Sequence, residues 1–524
     1  MRENPLCSSG ARLARHLPCR RYLEGRDRPR RLWAQTFAWL TVFLGLVYLV
    51  WVSGLVWKHL ELSGCLFLVA EIICFLLLVL LAANTCHRRY HRPQGLIPLT
   101  DYSVDIFIPC CGEPLEVIRA TLRAAARISY DFSETYVLDD GGSPEVARLA
   151  QSLGFHYLSR PLSGVPLAGA KSGNLNFGLN RSQGELILVL DADQQSFPDI
   201  VSRLAGFFQV PRLAYVQSKQ DYFLPQEDPF YNGEKIFYEA LQLSNDHANA
   251  VVSCGSGVMY RREALKSIGG FATWNIVEDF TTSYELLSRG WKGIYFPFSL
   301  SRGLAPLTLA GVCRQRFQWC LDTMRLFFWD NPLVKSGLTF RQRLHFLIIM
   351  VSYLVSGLAM PIFYVIPLLV YCQGDTLLLG HETGFWILRG AYLAAMFLMF
   401  RFLFFRKEAW KQFKMLGCLF PVYFMAMVAA LVYPPGRKPI YRINNHKPFS
   451  QTATWWLLAP QLFLIGLHLS LPFISLWQGW ALPRLIVFNA ILSVFTIWIL
   501  AHLVLASLAR PQWRAARDPR LAYA

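Results

Sequence analysis

Two pairs of aspartates stand directly after apolar runs of the chain, where carboxylates could bind a metal ion or a polar ligand. Asp139 and Asp140 follow one run and precede two glycines, and Asp191 and Asp193 follow an Ile-Leu-Val-Leu run. Carboxylates on a turn suit a hard divalent cation such as Mg²⁺ or Mn²⁺, which would neutralise charge on a bound diphosphate. Because Asp and Gly are also common in structural turns, the position after apolar runs is what favours a site.

Three further segments carry side chains that suit the transfer of a chemical group. Glu278 and Asp279 follow a glycine-rich segment, and a carboxylate there could act as a general base or simply favour a helix N-terminus. Lys171, in the segment AKSGNLN, is a candidate phosphate contact or a solvated loop lysine. Trp319, in the segment QRFQW, could form a platform for a sugar ring or anchor the chain at a membrane interface.

The elements that would position these residues lie in a segment of ordinary soluble composition, residues 98–330. Short apolar runs predict strands at 102–109, 134–138, 185–190 and 214–217, and the intervening pattern predicts helices at 114–128, 145–153 and 280–288. Strands that alternate with helices indicate an α/β domain with a parallel sheet. Ligands bind beyond the carboxyl ends of such strands, where both pairs of aspartates are expected.

Long apolar runs flank this domain and account for a hydrophobic content of 54%. A membrane span needs about 20 apolar residues, and such runs occur at 33–57, 62–84, 345–371, 385–405, 414–433, 455–477 and 482–508. Arginines cluster on both outer flanks of the first two runs. By the positive-inside rule, the basic N-terminal tail (1–32) and the central domain are therefore expected in the cytosol.

The run at 414–433 decides the topology of the second half. If it crossed the membrane, the basic segment 434–454 and the basic tail 509–524 would both lie outside, against the positive-inside rule. The sequence therefore predicts a hairpin of two spans over 33–84 and four spans within 345–508, with 414–433 as an interfacial helix. A further crossing stays open, because this run is apolar for an interfacial helix.

The net charge of +17 does not indicate a nucleic-acid partner, because much of it lies in arginines at the ends of the predicted spans rather than in a basic stripe. The 12 cysteines include no CxxC pair, so neither a disulfide framework nor a structural zinc site is expected. The first apolar run is long enough to stay as a membrane helix rather than serve as a signal peptide.

Taken in order, the motifs resemble glycosyltransferase family 2, and within it the cellulose synthase-like branch of bacterial type. The resemblance is carried by IP at 108–109 with EP at 113–114, DDGG at 139–142, AKSGNLN at 170–176, DAD at 191–193, CGS at 254–256 with RR at 261–262, ED at 278–279, GLAP at 303–306, QRFQW at 315–319 and KPIYR at 438–442. Each motif is short, but their order over more than two hundred residues makes coincidence very improbable.

The resemblance implies a GT-A fold with a mixed, mostly parallel sheet, embedded in a transmembrane helical bundle of the plasma (inner) membrane. It implies a UDP-sugar donor, Mg²⁺ or Mn²⁺, inverting transfer, a growing polysaccharide threaded through the spans, and accessory subunits of a secretion system. Asp279 would be the catalytic base, Asp191 and Asp193 the metal ligands, and residues 438–447 a gating loop over the donor. The donor would be bound by Glu113, Asp139, Asp140, Lys171, Asp191, Gln315, Arg316 and Gln318, and the acceptor by Trp319, Glu278, Cys254, Gly255 and Ser256.

The chain departs from the family pattern in two places. Gln318 stands where the family has an arginine that is expected to stabilise the leaving diphosphate, and Arg316 is a candidate substitute. Cys110 and Cys111 stand where an aromatic residue would stack on the base. A cyclic-dinucleotide-binding module and the plant-type zinc and insert regions are not expected in this chain.

Several functions stay open at this stage. The polymer could be cellulose, another β-glucan, or a polymer that contains N-acetylglucosamine, such as chitin or hyaluronan. A transferase that adds one sugar to a lipid phosphate is a second enzyme class, although it would not need the QRFQW platform or so many later spans. A channel or transporter with a cytosolic domain is the alternative outside enzymes, and charged residues such as Glu71 and Arg401 in or near apolar runs would be its signal.

Overall fold

A computed structural model describes residues 27–86, 102–225, 227–275, 277–374, 380–403, 406–437 and 454–509. Among these residues, ten strands lie between Val104 and Leu304. Their bounds are β1 Val104–Cys110, β2 Ser133–Asp139, β3 His156–Leu158, β4 Leu186–Val189, β5 Gln195–Ser196, β6 Leu213–Lys219, β7 Tyr222–Phe223, β8 Val258–Arg261, β9 Lys292–Ser299 and β10 Ser301–Leu304.

The α-helices fall into a group that belongs to the sheet domain and a group of long apolar helices. Helices of the domain are α3 Leu115–Ala125, α4 Pro144–Ser152, α5 Ala170–Leu179, α6 Ile200–Ala205, α7 Gln242–His247, α8 Arg262–Ser267, α9 Glu278–Ser288 and α10 Leu309–Trp329. The others are α1 Asp27–His59, α2 Leu62–Cys86, α11 Phe340–Leu354, α12 Met360–Gln373, α13 Glu382–Leu403, α14 Arg406–Cys418, α15 Phe420–Val432, α16 Thr454–Gln478 and α17 Pro483–Leu508.

Seven strands form the main sheet in the order β3-β2-β1-β4-β8-β6-β9. β1 pairs in parallel with both β2 and β4, so the carboxyl ends of these three strands lie at one edge. β8 alone runs antiparallel to its neighbours β4 and β6, and β9 is parallel to β6. The sheet is therefore mixed and mostly parallel, which confirms the predicted fold class.

Both faces of the main sheet are buried, which explains why its central strands are continuously apolar. In β4, Leu186 and Leu188 belong to one apolar cluster, whereas Ile187 and Val189 belong to another. The second cluster also contains Phe346 of α11. One face of the sheet thus shares its core with the helices that flank the domain.

Polar contacts join the domain to the apolar helices. His345 of α11 lies 2.8 Å from Asn245 of the domain and 3.2 Å from Asn84 of α2. Gln342 donates a hydrogen bond to the carbonyl of Asn249 at 2.7 Å, and it also closes a capping box with Thr339. The domain is therefore held on the ends of α2 and α11.

Among the described residues, six helices are long and apolar enough to cross a membrane. Five are single helices, and the sixth, Phe340–Gln373, joins α11 to α12 through a π-helical turn at Val355–Ala359. Close packing is visible between α1, α2 and α13, where a Cβ on Gly45 would approach Phe75 and Tyr392 to within 2.8 Å. The chain is thus an integral membrane protein by the length and composition of its helices.

The segment that the sequence predicts as one interfacial helix, 414–433, contains a bend. α14 and α15 meet at 61° around Leu419. Pro421 stands in the first turn of α15, where its missing N–H costs no helical hydrogen bond. The placement of this segment along the membrane interface stays a prediction.

Candidate active site

The first predicted pair of carboxylates lies at the carboxyl end of β2. Asp139 accepts hydrogen bonds at 2.8 Å from the backbone N–H groups of Gly141 and Ser143 and from the hydroxyl of Tyr157. These contacts shape the DDGG turn. Asp139 therefore stabilises the conformation of this turn.

Asp140 is paired with an arginine that sequence reasoning missed. Arg160 donates from Nε and Nη2 to the two oxygens of Asp140, at 2.8 and 2.5 Å. The same guanidinium donates to the carbonyls of Ala168 and Ala170, at 2.7 and 2.9 Å. Because Arg160 is only 2% exposed, it ties the turn after β2 to the start of α5, where Lys171 lies.

Glu113 lies close to this turn, on the segment after β1. Its Oε2 accepts a hydrogen bond from the backbone N–H of Cys111 at 2.6 Å. Burial, together with the charges of Asp140 and Glu113, raises the pKa of the Cys111 thiol to about 11. A protonated, half-buried thiol therefore stands where the family pattern would place a ring.

The second pair of carboxylates follows β4. Since β4 and β2 flank β1, the two turns are about 10 Å apart at the usual strand spacing. Lys171 lies 2.6 Å from Oδ1 of Asp191 and 3.0 Å from Oε1 of Glu278. Burial raises the pKa of Asp191 to about 6, with Lys171 acting to lower it and Asp193 to raise it.

Lys171 is the cation at the centre of this group. Its Nζ also donates to the carbonyl of Gly255 at 3.1 Å. Burial alone would lower the pKa of Lys171, but the charges of Asp191 and Glu278 raise it well above its ordinary value. The lysine therefore carries a full positive charge between two acidic segments.

Asp279, the predicted base, lies in the first turn of α9. Its Oδ1 accepts the backbone N–H of Phe280 at 2.5 Å. Burial and the adjacent charge of Glu278 raise the pKa of Asp279 to about 8, although Lys171 and the backbone N–H act to lower it. A carboxylate whose pKa lies near the working pH is suited to accept a proton.

The predicted acceptor loop, Cys254 to Ser256, packs against this base. Gly255 has a φ of +76°, and a Cβ there would come within 2.8 Å of Asp279 Oδ2 and 3.0 Å of Lys171 Nζ. Ser256 Oγ accepts the backbone N–H of Asp191 at 2.9 Å. The loop therefore needs glycine and connects the end of β4 to the start of α9.

Two glutamines that the sequence analysis did not single out hold this loop in place. Gln217 accepts the N–H of Cys254 at 2.7 Å and donates to the carbonyl of Ser256 at 2.9 Å. Gln220 donates to the carbonyl of Cys254 at 2.6 Å. Both glutamines are buried at the end of β6, where polar residues that interrupt an apolar strand were the available signal.

The QRFQW segment lies within α10. Arg316 forms an ion pair with Glu234 and stacks over the Trp319 ring with its Cζ 4.7 Å from the ring centroid. Glu234 was also missed by sequence reasoning. Because Arg316 is committed to Glu234, its predicted contact with a leaving diphosphate finds no support in this arrangement.

Gln315 and Gln318 are half-buried on α10. Unlike Arg316 and Trp319, they do not line the cavity that extends from Asp279 among the apolar helices. One turn further along, Asp322 accepts the backbone N–H of Val277 at 2.6 Å. This contact fixes the segment that leads into Glu278 and Asp279. Trp319 and the base are thus held in register by α10.

A cavity of about 920 Å³ connects the base to the apolar helices. Asp279, Cys254 and Trp319 line it, and so do residues of α2, α12, α13 and α17. Lys171, Asp191 and Asp193 are not among the lining residues. The base therefore separates a donor side, with the aspartates, from a cavity that extends among the membrane helices.

The carboxylates of Asp191 and Asp193 fit a divalent cation in part. Within the described ranges, no group of three His, Cys, Asp or Glu side chains could hold a metal ion. Two aspartates after a strand nevertheless supply hard oxygen ligands, and diphosphate oxygens would complete a shell of the kind that Mg²⁺ prefers. Oδ2 of Asp191 could bind such a cation while Oδ1 keeps its contact with Lys171.

The predicted gating loop, residues 438–447, lies outside the described residues, as do most of the two basic tails. All other predicted site residues are described. Those brought together around Lys171 are Asp191, Glu278, Asp279, Gly255 and Ser256. The assigned roles of these residues stay predictions.

Comparison with known families matches two adjoining parts of the chain. Residues 105–269 match the family described as glycosyl transferase family 2, and residues 248–417 match the family described as cellulose synthase. The second match includes the acceptor loop, α9, α10 and several of the membrane helices. A solved mannosyltransferase from Pyrobaculum calidifontis, in complex with GDP-Man and Mn²⁺, has 15% identity and a TM-score of 0.47, over 75% of this chain and 98% of its own.

Curated relatives are similar over about half to two thirds of the chain. Cellulose synthase 1 of Komagataeibacter xylinus is 32% identical over 64% of this chain and 22% of its own length. The UDP-forming cellulose synthase catalytic subunit of Xanthomonas axonopodis pv. citri is 33% identical over 53% of this chain and 39% of its own length. The chain spans less than half the length of these relatives. The two family matches and these relatives therefore identify residues 105–417 as a region of glycosyltransferase family 2, in its cellulose synthase-like branch.

Proposed function

We propose that this protein is a processive, inverting glycosyltransferase that polymerises UDP-glucose into a β-glucan such as cellulose. The observation that carries the proposal is that Asp279 and Trp319 line one cavity with the membrane helices. A general base and a sugar platform at the mouth of a path into the bilayer suit a product that grows and leaves by that path. The relatives named cellulose synthase support the same product.

In the proposed reaction the terminal sugar of the acceptor rests on Trp319. Asp279 accepts the proton of the acceptor hydroxyl, and the oxygen attacks the anomeric carbon of the donor. The bond from that carbon to the diphosphate breaks, and UDP leaves with the bonding electron pair. Attack opposite to the leaving group inverts the anomeric centre, which makes a β-linkage from an α-linked donor.

The donor side neutralises the leaving diphosphate. Asp191 and Asp193 would hold a divalent cation, which supplies charge neutralisation when bound. Lys171 is already protonated and lies between Asp191 and Glu278, so it contributes a second positive charge. We assign to Lys171 the stabilisation of the leaving diphosphate, because Gln318 is neutral and does not supply a positive charge.

Membrane placement follows from the same proposal. The six candidate spans would place the protein in the plasma (inner) membrane, with the catalytic domain in the cytosol, where UDP-sugars are made. A polysaccharide that moves among packed helices stays shielded from lipid. The predicted gating loop and accessory subunits belong to this proposal as well.

The test is incorporation of labelled sugar by the purified protein in lipid vesicles with Mg²⁺ or Mn²⁺. UDP-glucose should give a labelled polymer that a cellulase digests. Label from UDP-N-acetylglucosamine alone would keep the mechanism and replace the sugar. Release of UDP without polymer, with label on lipid, would favour the transferase of single sugars, and no UDP release from any donor would overturn the proposal.

A further inference from the structure

An ion pair lies among the membrane helices, far from the sheet domain. Glu71 of α2 and Arg389 of α13 form this pair, and Glu71 is only 3% exposed. Glu71 stands about 20 Å along the helix axis from Asn84, at 1.5 Å per residue. Asn84 contacts His345 of α11, which also contacts the sheet domain. The ion pair therefore lies deep in the helical bundle, away from that domain.

The arginine is enclosed by aromatic rings. Its Cζ lies 5.5 Å from the centroids of Tyr48 and Phe385 and 5.6 Å from those of Phe67 and Phe363. Its Nη1 donates to the Tyr48 hydroxyl at 2.8 Å and also contacts Glu71. Four ring faces and one carboxylate therefore hold the guanidinium in a fixed orientation.

The same arginine retains donors for another molecule. Both of its polar contacts within the described residues use Nη1, so the N–H groups of Nε and Nη2 are not engaged there. Its side chain is 17% exposed. Arg389, Glu71, Phe67, Phe363 and Phe385 all line the cavity that begins at Asp279 and Trp319.

A contribution to the stability of the fold explains such a buried ion pair only weakly. Removing two charges from water costs about as much as their attraction returns, and apolar replacements of a buried pair are often neutral or stabilising. Ionisable side chains within membrane helices usually face a polar path and mark a function. Rings beside unengaged N–H donors match a sugar chain, whose hydroxyls accept hydrogen bonds and whose C–H faces pack on rings.

We infer, on the basis of the proposed function, that Glu71 and Arg389 bind the growing glycan at a second point on its path. The neutral polysaccharide contacts Trp319 at its reactive end and the Glu71–Arg389 pair deeper in the membrane. Two contacts on one chain slow its loss between additions, because release then requires both to break. The pair therefore sets how many sugars are added before the product leaves.

The experiment measures polymer length from labelled UDP-glucose in vesicles, as sugars incorporated per reducing end. The double variant E71L/R389M replaces the pair with apolar side chains, and Arg389→Lys keeps the charge but removes the guanidinium fork. The control is Lys335→Met, because Lys335 pairs with two acids at a similar exposure of 16% and lies outside the cavity. Melting temperature in detergent shows that each variant is folded.

The inference predicts products at least fivefold shorter for E71L/R389M, an intermediate length for Arg389→Lys, and the wild-type length for Lys335→Met. Products of wild-type length from a folded E71L/R389M protein would overturn it and leave the proposed function standing. If the double variant fails to fold, wild-type length from Arg389→Lys overturns the inference. If the wild-type protein releases no UDP, the proposed function itself is contradicted.

Discussion

Lys171 Nζ lies 2.6 Å from Asp191 Oδ1 and joins the end of β4 to the start of α9, where it also meets Glu278 at 3.0 Å. The donor carboxylates and the proposed base thus share one cation. Any change in this contact alters both the charge at the leaving group and the proton affinity of Asp279.

Lys171→Met should reduce kcat at least a hundredfold. The change leaves Asp191, Glu278 and Asp279 close together without their shared cation, and it removes the positive charge that we assign to the leaving diphosphate. Steady-state UDP release measures the effect. Lys335→Met, which also removes a lysine from between two acids, should retain more than half of the wild-type kcat, and equal losses in both variants would contradict a special role for Lys171.

The rate should rise with pH. Asp279 must be deprotonated to act as a base, and burial with the charge of Glu278 raises its pKa to about 8. Protonation below that pH therefore removes the base, so kcat/KM should fall as the pH drops through about 8. A profile that is flat from pH 6 to 9 would contradict this assignment.

Glu278→Gln should move that profile to lower pH. The substitution removes a negative charge that raises the pKa of Asp279. The midpoint of the rise in kcat/KM with pH should therefore lie below that of the wild type, even if the maximal rate is lower. A midpoint that stays in place or moves upward would show that the titrating group is not Asp279.

Gly255→Ala should lower kcat at least tenfold. The new methyl group would meet Asp279 and Lys171 at 2.8 and 3.0 Å, and the φ of +76° adds strain of about 1–2 kcal/mol. Gly269→Ala is the matched control, because φ is +85° there but no atom lies within 4 Å of the added carbon. Similar losses of kcat would mean that backbone strain, rather than contact with the base, is the cause.

Trp319→Ala should raise the acceptor concentration needed for half-maximal rate about tenfold, since loss of a sugar–ring contact of about 1.4 kcal/mol has that effect. The acceptor is a short soluble glucan added to the assay. Trp329→Ala serves as control, since Trp329 lies on the same helix but outside the cavity. An unchanged acceptor dependence for Trp319→Ala would remove Trp319 from the acceptor site.

Sequence patterns identified the strands and helices that carry strong local signals. β4 is recognisable because a strand buried on both faces must be apolar throughout, and the aspartates after it follow directly. The antiparallel strand β8, Val258–Arg261, was not predicted, because its residues form neither a fully apolar run like that of β4 nor an alternating pattern. The bend at Leu419 was not predicted either, although Pro421 is a residue type that often begins a new helix.

The candidate site was predictable where its functional residues are neighbours in sequence and form short motifs. The motifs around Asp191 and Asp279 are such cases. Arg160, Gln220 and Glu234 were missed because each acts on a partner that is distant in sequence, 20 residues away for Arg160 and Asp140, 34 for Gln220 and Cys254 and 82 for Glu234 and Arg316. Only the folded chain brings such pairs together.

The central claim is that Asp279 is the base of a polymerising glycosyltransferase. The most direct measurement is labelled polymer made from UDP-glucose by wild type and Asp279→Asn in lipid vesicles, since asparagine can still accept the Phe280 N–H. Asp199→Asn, which alters an aspartate at the start of another helix, is the control. The account predicts polymer from wild type and Asp199→Asn and at least a thousandfold less from Asp279→Asn. Polymer from Asp279→Asn at the wild-type rate would contradict it.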